Sequence, residues 1–403
     1  MKKDILFLCQ FFYPEHNSSA TLPFDTAKHL AENGYSVDAL CGYPKEYADE
    51  TGVPAKERRD GVSIKRLHYI QLSRVGRLGR LINYFSFTLA VLFHLFRLGR
   101  YRAVVVYSNP PILPLAPILA NRLFKTKIIF VAYDIYPEVA YASASLDRGG
   151  LIDRVMKRLN RSLYKRASAV VALTEEMKRF ILDNREEAEE SRVAVIPNWA
   201  HENGRLATVD DYAALGYTPE QLIVSYFGNM GICQDVETML AACRALQDRE
   251  DIQFLIVGHG NKKDYVAEQT KKLPNVKVLD FLTGDAFEKA LAVSDCGIVS
   301  LEKGLKGTCA PSKYYSYLQS GCAVLTVTEP DSYLAQEVAE AAIGAAVCIG
   351  DADSLTEAIC RLADNRNACT AMCLKAKALY DSTYDKRHAM EKYSELIGRI
   401  LKQ

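Results

Sequence analysis

Apolar positions in this chain come in short continuous blocks, and the blocks alternate with stretches of helical period. "DILFLCQF" at 4–11 is followed by "TLPFDTAKHLAENG" at 21–34 and "YSVDALCGYP" at 35–44. The rhythm returns in "YRAVVVYSNPP" (101–111), "TKIIFVAYDIYPE" (126–138), "ASAVVALTEEMKRFI" (167–181) and "RVAVIPNWA" (192–200). It restarts at "QLIVSYFGNMG" (221–231) and runs on through "VETMLAACRALQ", "IQFLIVGHG", "VKVLDFL", "FEKALAVSDCGIVSL" and "AVLTV". Apolar runs bounded by Gly, Pro and Asn fit strands buried on both faces. Their alternation with helices predicts parallel sheets joined by right-handed crossovers.

Two such series in 403 residues predict an α/β protein of two Rossmann-like domains. The polar segment "NWAHENGRLATVDDYAALGYTPEQ" (198–221) reads as the linker. The expected domains are 1–200 and 201–384, with a C-terminal helix at about 385–403 packing back on the first. Ligands of such sheets sit at the carboxyl ends of the strands. With two sheets facing a central cleft, the cleft is the expected binding place.

Composition is that of a globular protein, with 49% hydrophobic and 25% charged residues. A net charge of +1 gives no sign of a nucleic-acid partner. The distribution of charge is less even. No Asp or Glu lies between Asp60 and Asp134, and that gap holds eleven Lys and Arg. Within it, Leu81–Phe96 is an apolar run of 16 residues. As a helix it spans roughly 24 Å, short of a ~30 Å hydrocarbon core. Asn83, Ser86, Ala90 and His94 form one small or polar stripe, with Arg74, Arg77, Arg80 and Arg97, Arg100, Arg102 flanking the run. A buried helix is one reading. A helix touching anionic lipid through Phe85, Phe93 and the arginines is the other. The eleven cysteines are odd in number and scattered, which fits reduced thiols of a cytosolic protein. The N-terminus reads as a first strand, not a secretion signal.

Candidate chemistry gathers at predicted strand ends. Gly228-Asn229-Met230-Gly231 and Gly258-His259-Gly260, followed by Lys262, put small residues where a backbone would approach a phosphate. A tight strand-to-helix turn explains either alone. Ser312-Lys313 opens another predicted helix, where a lysine and a helix dipole would act on one anion. Asp134 and Glu138 are carboxylates at a strand end, suited to a general base or a hydroxyl acceptor, or to a structural cap. His16, beside Glu15 in the first strand-to-helix loop, is a further catalytic candidate. No metal constellation and no Asp-x-Asp is visible, so no cofactor or metal is expected.

The ordered stretches "YFGNMGICQDVETML", "FLIVGHGNKKDYV", "LPNVKVLDFLTGDAFEKALAVSDCGIVSL" and "PSKYYSYLQSGCAVLTV" resemble the donor domain of GT-B retaining glycosyltransferases of the family-four-like group. "FFYPEHNSSA", "SNPPILPLAPILA", "KIIFVAYDIYPE" and "VAVIPNWA" resemble the acceptor side of members that build capsule, O-antigen and colanic acid. The resemblance covers nearly the whole chain. It implies a UDP-sugar or similar donor and a metal-independent mechanism. It also implies a lipid-linked saccharide acceptor and a peripheral place on the inner face of a bacterial membrane. It places the nucleobase near Leu282. The wider family carries Gly-Arg and Lys-Gly where this chain has Gly228-Asn229 and Gln234-Asp235, and two glutamates where it has Thr308 and Ser316. Tyr133 stands where many relatives have His. Lys313 is then the expected diphosphate cation, with Lys262 or Lys306 as helpers. Two other readings stand beside transfer: a nucleotide-sugar epimerase, and a non-catalytic sugar-nucleotide or glycan-binding partner.

Overall fold

The computed structural model describes residues 2–45, 48, 52–72, 77–200 and 204–402. They fall into two compact units. One comprises Met1–Asn198, Gly307–Ala310 and Lys386–Gln403; the other, Trp199–Lys306 and Pro311–Asp385.

The first unit is built on eight strands: β1 (Lys3–Leu8), β2 (Val37–Gly42), β3 (Lys56–Arg59), β4 (Val62–Leu67), β5 (Tyr101–Tyr107), β6 (Lys127–Val131), β7 (Ala169–Ala172) and β8 (Val193–Val195). Their order is β3-β4-β2-β1-β5-β6-β7-β8. Every pairing is parallel except the β3–β4 hairpin. Strands β1, β5 and β6 are apolar on both faces because helices cover both. Helices Arg77–Leu92, Leu115–Phe124 and Leu151–Arg166 pack side by side. Helix Ser18–Glu32 packs with the C-terminal helix Lys386–Lys402. There Lys386 pairs with Asp25 at 2.7 Å, His29 meets Ser394 at 2.9 Å, and Lys127 donates to the Ile400 carbonyl at 2.7 Å.

The apolar run at 81–96 is not one helix. Helix Arg77–Leu92 ends, and a short helix Leu95–Leu98 follows. The break sits at His94, whose backbone N–H turns to the Val91 carbonyl at 2.8 Å while its ring reaches Lys65. The polar stripe faces inward. Asn83 bonds both backbone groups of Leu72, and Ser86 accepts from Ile70 N–H. Phe87 and Val91 join the core. Among the described residues no helix is long and apolar enough to cross a membrane.

The second unit carries β9 (Leu222–Asn229), β10 (Ile252–His259), β11 (Val276–Leu279), β12 (Cys296–Ser300), β13 (Ala323–Thr328) and β14 (Gly344–Cys348). They form a parallel sheet in the order β11-β10-β9-β12-β13-β14. From β9 the chain winds outward to β10 and β11; from β12 it winds the other way. The winding therefore reverses between β9 and β12 here, and between β1 and β5 in the first sheet. Such switch points open crevices at the carboxyl ends of the strands. All eleven cysteines are free thiols.

Candidate functional site

The crevice of the second sheet is opened by a tyrosine. The β9–β12 ladder ends at Gly297 paired with Ser225. Beyond it, the Tyr317 hydroxyl accepts from Phe227 N–H at 2.9 Å and donates to the Ser225 carbonyl at 3.3 Å. Its ring covers Gly297, where a Cβ would lie 2.4 Å from ring carbons. Tyr317 belongs to helix Lys313–Ser320, which buries Tyr314, Tyr315, Tyr317 and Leu318. Gly321, at φ +68, ends that helix in the left-handed conformation and turns the chain into β13. The aromatic face fixes the helix, and the helix start is thereby held at the mouth of the crevice.

Lys313 is the first residue of this helix. Its Nζ is buried, has no hydrogen-bond partner among the described residues, and lies 3.4 Å from the centroid of the Tyr226 ring on β9. Burial pushes its ammonium well below the ordinary range. A ring face is a weak substitute for water or a carboxylate. The Tyr226 hydroxyl donates to the Asn229 carbonyl at 2.9 Å, so the ring also anchors the glycine loop. Gly258 pairs with Gly228 across β9–β10, and a Cβ on Gly258 would sit 1.9 Å from the Gly228 oxygen. The two loops are tied together by Met230 N–H to the His259 carbonyl at 2.6 Å and Lys262 N–H to the Met230 carbonyl at 2.9 Å. Gly231 N–H is held by the Gln234 side chain at 3.0 Å. Asn229 is exposed, and half-buried His259 packs its ring edge-on against Phe281 at 5.0 Å. Burial, with Lys263 and Lys313 nearby, keeps that imidazole below its ordinary value.

The helper cations are occupied. Lys262 donates to the Gln234 carbonyl at 2.7 Å and to Glu302 at 3.1 Å, and Lys306 pairs with Asp331. Asp235 caps the next helix through Thr238 N–H at 3.1 Å. Leu282 is half-buried just past β11, and Ser312 and Ser316 are half-buried on the Lys313 helix. Thr308 groups with the first unit, where its carbonyl accepts Ile135 N–H at 2.7 Å and Cys309 bridges Asp134.

In the first sheet, Asp134 follows β6. Buried Ser108, at the end of β5, accepts from both Tyr133 N–H (3.1 Å) and Asp134 N–H (3.0 Å). No described residue bonds the Asp134 carboxylate, and burial raises it to about 6. Glu138 is paired with Arg185 at 2.6 Å, and Arg185 also reaches the Tyr136 carbonyl at 3.2 Å. Glu138 therefore pins the loop after Asp134. His16 is exposed in the loop after β1, and Glu15 beside it is buried. Ser108, Arg185 and Tyr226 had no assignment from sequence. Ser108 and Arg185 lacked a local signal, and the tyrosine's role depends on a helix almost ninety positions on. Among the described residues no group of three or more metal-type ligands gathers.

Comparison with known proteins decides the family. Residues 24–199 match the Glycosyl transferase 4-like domain, and residues 221–365 match the Glycosyl transferases group 1 domain. The chain belongs to the GT-B glycosyltransferases. A Pseudomonas aeruginosa protein named as a glycosyltransferase, WbjE, is 26% identical over 62% of each chain, so that match spans less than two thirds of the relative. An Escherichia coli K12 protein named as a colanic acid biosynthesis glycosyl transferase, WcaI, is 24% identical over 84% of this chain and 86% of its own. The fold is shared with sucrose-phosphate synthase of Thermosynechococcus elongatus (TM-score 0.78, 13% identity, full coverage of both). It is also shared with HepE of Anabaena, solved with UDP and glucose (TM-score 0.68, 16% identity, covering 98% and 100%).

Proposed function

We propose that this glycosyltransferase moves a sugar from a nucleotide-diphosphate sugar, UDP-linked by preference, to a lipid-linked saccharide in bacterial surface-polysaccharide assembly. One observation carries the donor side: an enclosed ammonium with no acceptor among the described residues, at the switch point of a sheet whose loops are kept small by glycine. A diphosphate supplies the missing acceptor, and the N-terminus of helix Lys313–Ser320 adds partial positive charge. HepE, of the same fold, was solved with UDP-glucose, which favours a uridine donor. The polysaccharide setting is supported by the name of WcaI. A thermal-shift screen of nucleotide sugars tests the donor, since stabilisation grows as RT ln(1 + [L]/Kd). The expected result is a rise with UDP-sugars and UDP; no rise with any nucleotide sugar contradicts the reading.

The reaction needs no metal in this reading, because Lys313 and the helix N–H groups meet the leaving diphosphate. Anomeric configuration is retained. Product NMR showing an inverted linkage would remove that part. Thr308 and Ser316, neutral where relatives carry carboxylates, favour a second reading as a non-catalytic binding partner. Donor binding with no transfer to any lipid-linked acceptor would select it.

The protein works at the inner face of the membrane in this account. Leu78, Leu81, Phe85, Leu89, Phe93 and Phe96 are all exposed along one stripe of the helical segment, Phe85 by 60% and Phe93 by 80%. Arg80, on the same helix, is half-buried; Arg74 lies outside the described residues, as does the side chain of Arg77. Phe85→Ser with Phe93→Ser, or Glu at the three arginines, should abolish binding to anionic vesicles and leave donor affinity unchanged. Wild-type protein that ignores anionic vesicles at low salt would overturn the membrane assignment.

A further inference from the structure

At the break between the two helices of the apolar segment, cations outnumber acids. His94 places Nδ1 2.9 Å from the Ala90 carbonyl and Nε2 2.7 Å from Lys65 Nζ. Only the neutral tautomer with its proton on Nδ1 satisfies both: Nδ1–H donates to Ala90, and Nε2 accepts from Lys65. Lys65 thus gives its hydrogen bond to a neutral ring. Among the described residues no carboxylate pairs with Lys65, nor with Lys56, which stands opposite it across β3–β4. Arg97 reaches Asp38 only at 3.7 Å, and Asp38 already holds Lys3 at 2.9 Å and the Tyr101 hydroxyl at 2.5 Å. The Arg97 Nε is buried without a hydrogen-bond partner among the described residues. Burial, then Arg97 and Lys56, hold the Lys65 ammonium below its ordinary range. Lys56, Lys65 and Arg97 thus stand with a single nearby acid, Asp38, that is already shared with Lys3 and Tyr101. On either side of His94 stand Phe93 and Phe96, 80% and 77% exposed.

We propose that Lys65, positioned by His94, and Arg97 form a binding site for the headgroup phosphate of an anionic phospholipid, with Phe93 and Phe96 entering the apolar layer beside it. The proposal rests on the peripheral-membrane reading and names its headgroup contact. A guanidinium and an ammonium gathered at one helix break suit a phosphate with two charged oxygens. The aromatic pair favours a lipid over a free anion, because a soluble phosphate would gain nothing from two exposed rings.

The test uses the full chain and vesicles of phosphatidylcholine with and without phosphatidic acid. Lys65→Gln and Arg97→Gln should each weaken binding to the acidic vesicles about fivefold. Lys65→Arg should restore it, and the thermal midpoint and donor affinity should not move. Lys165→Gln, at an exposed position on helix Leu151–Arg166 of the same unit, should change binding less than either. Short-chain phosphatidic acid below its micelle concentration should shift the His94 ring resonances saturably, and inorganic phosphate should do so far more weakly. Double-variant protein that binds as wild type, while Phe85→Ser with Phe93→Ser does not bind, would overturn this site and leave the membrane reading standing. Equal affinity for inorganic phosphate would overturn the lipid assignment. Wild-type protein that ignores the vesicles would overturn both readings.

Discussion

Asp134→Asn should lower turnover by roughly 10²–10⁴ while leaving donor affinity within error, because a positioned base contributes about that much. Ser108 fixes the backbone of Asp134 from β5, and Glu138 with Arg185 pins the following turn. The carboxylate itself has no described partner, so its charge is available to an acceptor hydroxyl. Burial raises it from 3.8 to about 6. A base must be ionised, so wild-type turnover should fall as pH drops through about 6, approaching tenfold per unit below it. The Asn variant should lose this limb. Amide and carboxylate have the same shape, which separates charge from packing. Near-normal turnover of Asp134→Asn, or a wild-type profile flat between pH 5 and 7, would reduce Asp134 to a structural role.

Lys313→Ala should weaken UDP-sugar binding about ten- to a hundredfold, since a hydrogen bond to a charged group is worth about 1.5–3 kcal/mol. Lys313→Met carries a second, opposite expectation. The folded protein holds Lys313 well below its ordinary 10.5 because burial disfavours the charged form. The unfolded chain therefore binds this proton more readily, and ligand-free stability rises with pH up to about 10.5. Near neutral pH the buried cation destabilises the empty protein, and Met keeps the volume without the charge. The ligand-free thermal midpoint of Lys313→Met should rise while stabilisation by UDP-sugar is lost. A lower midpoint with retained donor response would show that the ammonium serves packing rather than the donor.

The two sheets were legible because parallel strands buried on both faces leave unbroken apolar runs, as in "YRAVVVY" and "FLIVG". The candidate donor residues at the ends of β9 and β10 followed from their glycines. Interactions between distant elements were not legible. Nothing local in "LIVSYF" reveals that Tyr226 lies under Lys313, or that Tyr317 parts β9 from β12. Sequence leaves Glu138 open between a chemical and a structural role, because its partner Arg185 is 47 positions away. Nothing local to Thr308 announces that its carbonyl pairs with Ile135, in the loop that carries Asp134. The His94 ring at the helix break meets Lys65, which lies on β4, 29 positions upstream. The apolar stripe hid two faces in one run: Phe87 and Val91 inward, Phe85 and Phe93 outward.

Acceptor-dependent release of UDP tests the account most directly. Purified protein would be incubated with a panel of UDP-sugars, with and without a lipid-linked saccharide extract, and both free UDP and the mass of the lipid product would be followed. The account predicts UDP release from one donor only when acceptor is present, with the lipid-linked saccharide gaining one sugar. It also predicts loss of both signals in Asp134→Asn and Lys313→Ala. Donor binding by titration with no UDP release and no mass change on any acceptor would contradict it.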